Sequence, residues 1–124
     1  MTDTRALVER FLATLEARDW DAFGAVLDAD VVYEIPQTRE RIRGRDPYVQ
    51  FNAEYPGEWH LSPRTVLVDG TAAVARFGWS VGGEEDGEGI AFFATDGERI
   101  TSVTDFWPEA YEPPPGREHL TERW

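Results

Sequence analysis

The stretch WHLSPRTVLV-DG-TAAVARFGWSV-GGEEDGEG-IAFFAT-DG-ERITSVTDFW, residues 59–107, holds four runs rich in β-branched and aromatic residues, separated by glycine-containing breaks. Trp59 to Val68, Thr71 to Val81, Ile90 to Thr95 and Arg99 to Trp107 read as strands. Asp69-Gly70 reads as a two-residue turn, Asp96-Gly97 as a second turn, and residues 82–89 as an acidic glycine loop. Neighbouring strands joined this tightly run antiparallel, so the spacing predicts a four-strand meander.

Upstream of it the period changes. Leu7, Val8, Phe11, Leu12 and Leu15 recur at helical spacing between Thr4 and Ala17. Asp19 is placed to cap a second, short helix that turns Trp20, Phe23, Val26 and Leu27 inward. Asp28 to Asp30 end that helix before a strand, Val31 to Ile35, with Val31, Tyr33 and Ile35 on one face and Pro36 closing it. Residues 37–45 read as a basic loop carrying Arg39, Arg41, Arg43 and Arg45. Asp46-Pro47 starts a third helix that puts Tyr48, Phe51 and Tyr55 on one stripe until Pro56-Gly57. After Trp107 come Pro108 and Pro113 to Pro115, then a stretch from Arg117 to Trp124 long enough for two helical turns and expected to lie across the body. The order predicts one α+β domain over residues 1–108, a curved, mainly antiparallel sheet wrapped around three helices and enclosing a cavity, with a Pro-rich tail over 109–124.

Composition narrows the function classes. The chain has 124 residues and no cysteine, which excludes disulfide scaffolds, thiolate metal sites and cysteine nucleophiles. A net charge of -12 disfavours nucleic acid and anionic membranes as partners. No apolar run nears the roughly 20 residues of a membrane span, and the N-terminal residues carry no signal-peptide pattern, so the cytoplasm is the expected compartment. The absence of glycine-rich phosphate loops and of metal-ligand spacing predicts neither cofactor nor metal. Glu84, Glu85, Asp86 and Glu88 lack the alternation of a calcium loop and read as a solvated hairpin tip.

Three pieces together resemble the nuclear transport factor two-like superfamily, in its SnoaL-like, polyketide cyclase-like branch. They are residues 10–21, the strand Val31 to Ile35 after Asp28-Ala29-Asp30, and Arg99-Ile100 through Asp105-Phe106-Trp107-Pro108. The resemblance spans Leu7 to Pro108 and implies a cone-shaped α+β fold around a ligand cavity. Ketosteroid isomerase, in the same superfamily, places a tyrosine, an aspartate and a protonated aspartate where this chain has Phe11, Ile35 and Ile90 or Ala91, so isomerisation by that mechanism is not expected. Limonene epoxide hydrolase has an arginine and aspartate two residues apart plus a second aspartate. Here Arg76 and Asp105 match, and Gly78 replaces the middle aspartate.

The resemblance turns Asp105 and Trp107 toward the cavity and, by alternation, Thr104 and Phe106 outward. A carboxylate against aromatic walls has a raised pKa and can exchange protons with a carbonyl compound. The competing reading makes Asp105 an ionised structural partner of Arg76. A phase that turns Val74, Arg76, Gly78 and Ser80 inward supplies that partner, and leaves Ala75, Phe77, Trp79 and Val81 on the back of the sheet. The opposite phase makes Arg76 a surface charge. The inward phase is preferred because a cavity carboxylate needs a partner, and it predicts a homodimer packed through Phe77, Trp79 and Phe106. If Trp59 and Leu61 point out, His60 and Ser62 point in and His60 becomes an acid–base candidate; His119 reads as surface.

The candidate catalytic set is therefore Asp105, Arg76 and His60. The candidate substrate-binding set is Tyr33, Ile35, Tyr48, Tyr55 and Trp107. The expected function is a cofactor-independent cyclase, or related lyase or isomerase, using acid–base catalysis on a compact apolar or aromatic carbonyl compound. The alternatives are a non-catalytic ligand-binding dimeric module and an interaction subunit whose cavity is filled.

Overall fold

The computed structural model describes residues 3–124, with the side chains of residues 84–86 left out. Helices α1 (Thr4–Ala17), α2 (Trp20–Ala25) and α3 (Arg45–Ala53) accompany six strands. The strands are β1 (Leu27–Ile35), β2 (Glu40–Arg43), β3 (Trp59–Asp69), β4 (Ala72–Val81), β5 (Glu84–Thr95) and β6 (Ile100–Phe106). They form one open sheet in the order β2-β1-β6-β5-β4-β3. The predicted meander is present as β3 to β6, antiparallel throughout. β1 joins it parallel to β6, and that pairing carries Tyr33 to the strand that bears Asp105.

The amphipathic stripe of α1 is fully buried, with Leu7, Val8, Phe11, Leu12 and Leu15 all under 9% exposed. Phe11 meets Phe23 of α2 and Phe93 of β5 at ring-centroid distances of 5.0 Å each, so one aromatic joins both helices to the sheet. The small residues Ala73, Ala75 and Ala91 on the inner sheet face admit the helices closely. Asp19 caps α2 by accepting from the Ala22 N–H at 3.2 Å, as its position predicts.

Four local expectations are corrected. The basic loop contains a strand, because Glu40–Arg43 alternates, sends Ile42 against the core, and pairs with β1 through Tyr33↔Ile42 and Glu34↔Arg41. Arg41 thereby meets Glu34 at 2.6 Å. The third helix begins at Arg45, capped by Gly44 rather than Asp46. Gly44 holds a φ of 100° that suits glycine, and its N–H is tied to the Val31 carbonyl at 2.8 Å. The acidic glycine loop shrinks to a turn at Gly82-Gly83, and β5 starts at Glu84; the side chains of Glu84, Glu85 and Asp86 lie outside the described residues. No helix forms after Arg117, and Tyr111, Leu120 and Trp124 are exposed, so the tail does not pack as expected. Its polar and proline-rich sequence offers no apolar stripe to bury.

The strand phases matter most for the site. In β4 the inward residues are Ala73, Ala75, Phe77 and Trp79, and Arg76 points out, the reverse of the preferred expectation. Burying two large aromatics is favourable, whereas an inward guanidinium would lose hydration that a single carboxylate does not replace. In β3, Trp59 and Leu61 are buried before an irregularity between Pro63 and Thr65; beyond it Val66 and Val68 pack inward and Leu67 is 60% exposed. Proline cannot supply the ladder N–H, and the bulge switches which parity faces the core.

Candidate functional site

Between the inner sheet face and the helices lies a cavity of about 400 Å³. Phe11, Leu12 and Leu15 of α1, Tyr48 and Phe51 of α3, and residues from all six strands line it. All five candidate substrate-binding residues, Tyr33, Ile35, Tyr48, Tyr55 and Trp107, contribute to its wall, as does Asp105. Apolar and aromatic groups dominate, with a few convergent polar atoms, which is the usual make-up of a small-molecule site.

Asp105 is the polar centre. The β1–β6 pairing brings Tyr33 beside it, and the Tyr33 hydroxyl donates to Asp105 Oδ2 at 2.5 Å. Burial pushes the Asp105 carboxyl from its ordinary 3.8 up to about 7, and the Tyr33 hydrogen bond, which favours the carboxylate, recovers only part of that shift. Tyr33 itself is held far above its ordinary pKa by burial first and by the Asp105 charge second. Tyr48 stacks on Tyr33 at 4.5 Å and is likewise raised, again by burial first. The group can thus switch between acid and carboxylate near neutrality beside a hydroxyl that stays protonated.

The other two candidate catalytic residues are elsewhere. Arg76 lies on the outer sheet face, its guanidinium bonded to Glu88 through two nitrogens, so no Arg76–Asp105 pair forms. His60 is outside because Trp59 and Leu61 take the inner face; its Nδ1 lies 2.8 Å from Glu16 Oε2. Burial disfavours the Glu16 charge, yet bonds from the Leu61 N–H and His60 prevail and keep its pKa low. That cluster fastens the end of α1 to the start of β3.

Several contributors carry no local sequence mark. Gln37 grips the Trp107 backbone at both ends: its Nε2 donates to the Trp107 carbonyl at 3.1 Å, and the Trp107 N–H donates to its Oε1. The amide acts there as a substitute strand partner just beyond β6. Gly89 lies opposite Phe77 in the ladder, and a Cβ at that position would stand 2.4 Å from the Phe77 ring and 2.9 Å from Trp107. Both rings depend on the missing side chain. Phe51, Trp59, Phe77 and Trp79 complete the wall, their places set by strand phase and helix approach. No group of three or more His, Cys, Asp or Glu side chains that could hold a metal occurs among the described residues.

The SnoaL-like domain profile matches residues 8–103. The chain belongs to the SnoaL-like family. No curated protein matches this SnoaL-like protein in sequence. Among solved structures, a Kribbella flavida DSM 17836 protein provisionally assigned as a ketosteroid isomerase is 50% identical, with a TM-score of 0.92 over 98% of this chain and 89% of its own. An M. tuberculosis LEH-like epoxide hydrolase is 25% identical, with a TM-score of 0.72 over 85% of this chain and 82% of that one. A Xanthomonas campestris pv. campestris protein provisionally assigned as a polyketide cyclase is 24% identical, with a TM-score of 0.66 over 85% and 90% of the two chains, and shares the cone-shaped fold. The SnoaL-like chain departs from the epoxide-hydrolase pattern, because the arginine implied by that resemblance, Arg76, is turned away from Asp105.

Proposed function

We propose that this SnoaL-like protein is a cofactor-independent acid–base enzyme acting on a compact carbonyl compound, by aldol cyclisation or a related proton transfer. The observation that carries the reading is the Tyr33–Asp105 pair inside an aromatic cavity. The ionised Asp105 takes a proton from the carbon next to the substrate carbonyl. The cavity folds the resulting carbanion toward its acceptor, an effect of positioning rather than of a bound metal. Protonated Asp105 then returns the proton. Tyr33, whose single O–H donates to Asp105 Oδ2, holds the carboxylate in place for the transfer. Arg76 and His60 have no part in this chemistry, since neither lines the cavity.

Exchange of α-protons tests it. Small aryl ketones in deuterated buffer are expected to exchange faster with the protein than without it, followed by proton NMR, with a rate that climbs through about pH 7 as Asp105 ionises. A rate independent of pH across that window, or no acceleration for any ketone that binds, returns the cavity to the alternative of a ligand carrier.

The assembly reading also changes face residues. Phe77 and Trp79 are inside, so the expected dimer contact through them does not hold. The outer sheet face instead presents Phe92, 49% exposed, packed edge-on against Phe106 at 5.8 Å, with Leu67 60% exposed farther along. A second copy of this chain is the proposed cover, flanked by the Arg76–Glu88 pairs. Phe92→Glu is expected to convert a dimer to a monomer in sedimentation velocity at micromolar concentration; a wild-type monomer there removes the proposal. Residues 1–108 then form the working domain and 109–124 an appended tail. No described helix is long and apolar enough to cross a membrane, and the lack of cysteine supports a cytoplasmic setting.

A further inference from the structure

The rings at the open end of the cavity have a geometry that acid–base chemistry does not require. Trp59 and Trp79 lie nearly parallel, with centroids 5.6 Å apart and planes 12° apart. Trp107 stands against Trp79 at 5.1 Å and 68°, and Tyr55 meets the same indole at 5.7 Å and 88°. Tyr55 is 44% exposed and Trp79 and Trp107 are half-buried, so these three sit toward solvent, whereas Trp59, Tyr48 and Phe11 are buried behind them.

Aromatic faces are the negative end of a quadrupole and attract cations. Trp59 already does so within the chain, where the Arg18 guanidinium carbon lies 3.6 Å from its ring centroid and takes that ring, leaving Trp79, Trp107 and Tyr55 for a ligand. The residues that line the cavity include no Lys, Arg or His, and the two carboxyl-bearing ones, Asp105 and Glu40, are acidic. The whole chain adds a net charge of -12. An anionic ligand would therefore meet repulsion, and the nearest guanidinium, Arg18, is already paired with Glu16 at 3.2 Å. A methylated ammonium has no N–H to satisfy, which suits ring walls that offer π-faces rather than hydrogen-bond acceptors.

We propose that the corner formed by Trp79, Trp107 and Tyr55, backed by Trp59, is a subsite for a quaternary ammonium group, so that the substrate is a carbonyl compound carrying a positive charge near its reactive carbon. The placement of the carbonyl at Asp105 rests on the reading above; the placement of the cation does not.

Three ketones of similar size test it: phenacyltrimethylammonium, the neutral ketone with a tert-butyl group in place of trimethylammonium, and 3-benzoylpropionate. Each is titrated by calorimetry at high salt, which screens the overall charge. The cation is expected to bind at least about tenfold tighter than its neutral isostere, and the carboxylate weaker than either. Trp107→Leu and Trp79→Leu, each checked for folding by circular dichroism, are expected to shrink the cation's advantage to about twofold or less while the neutral ketone changes less. Asp105→Asn is expected to keep the advantage. Equal or tighter binding of the neutral ketone, no binding of any of the three, an advantage that survives in a folded Trp variant, or one that disappears in Asp105→Asn overturns the proposal. Isotope exchange that fails while the order of affinities stands would remove the acid–base reading and leave the cation subsite.

Discussion

Asp105→Asn is expected to raise thermal stability at about pH 8 while it lowers α-proton exchange by at least about 100-fold. Both effects come from one cause. The folded chain holds the Asp105 proton up to about pH 7, whereas an unfolded aspartate releases it near its ordinary 3.8. Between those values the folded state binds more protons than the unfolded one, so stability falls as pH rises. The contribution of Asp105 is fully present below about pH 4, is lost progressively up to about pH 7, and stays lost above it. Three units correspond to roughly 4 kcal/mol at most; with water entering the cavity, about 2 kcal/mol is the expected gain for an uncharged amide that still accepts from Tyr33. For a chain this size that is a rise of several degrees in Tm. Melts at about pH 4 and about pH 8 decide it. A variant less stable than wild type at both values would mean that the carboxylate is not strained, and the proton-acceptor role would lose its physical basis.

Gly89→Ala is the second large effect. Its Cβ would come within 2.5 Å of two Phe77 ring atoms and 2.9 Å of Trp107, well inside any tolerated contact. The obstacles are ring ends rather than backbone, so the rings swing into the space they border instead of the strand breaking. Such overpacking costs about 1–3 kcal/mol. The functional loss is larger than the stability loss, because both displaced rings line the cavity. Affinity for the neutral aryl ketone is expected to fall at least about tenfold, with the fold intact by circular dichroism. Unchanged affinity in a folded variant would place the ligand somewhere other than this cavity.

How these residues came to be legible differs from case to case. The inward positions of Tyr33 and Asp105 follow from alternation within β1 and β6, set by the resemblance to cavity-facing strand positions, and the structure brings the two side chains together. Arg76 shows the opposite. Alternation alone in β4 pairs Ala75, Phe77 and Trp79 on one face and Val74, Arg76, Gly78 and Ser80 on the other, and burial of aromatics selects the first set. An inward Arg76 would face Asp105 only by turning Phe77 and Trp79 out to solvent. The partner that Asp105 needs is Tyr33, supplied by a strand that joins β6 from far away in sequence. His60 reversed with its neighbours for the same reason, since a strand that buries Trp59 and Leu61 must expose the residue between them.

Both aspartate–glycine turns shift from their expected places, the first to Gly70-Thr71 because Asp69 pairs with Ala72 at the end of β3, the second to residues 96–99 between β5 and β6. Sequence alone determined the elements whose cause is local: the buried stripe of α1, the Asp19 cap and the order of the meander strands. Each depends on neighbours within a few residues, and so can be read along the chain. Only the tertiary structure decided the phases of β3 and β4, the pairing that delivers Tyr33 to Asp105, the grip of Gln37 on Trp107 and the need for glycine at 89. Those rest on which face of a strand the helices cover and on contacts between residues far apart in the chain. A two-residue period states that two faces exist, and only packing chooses between them.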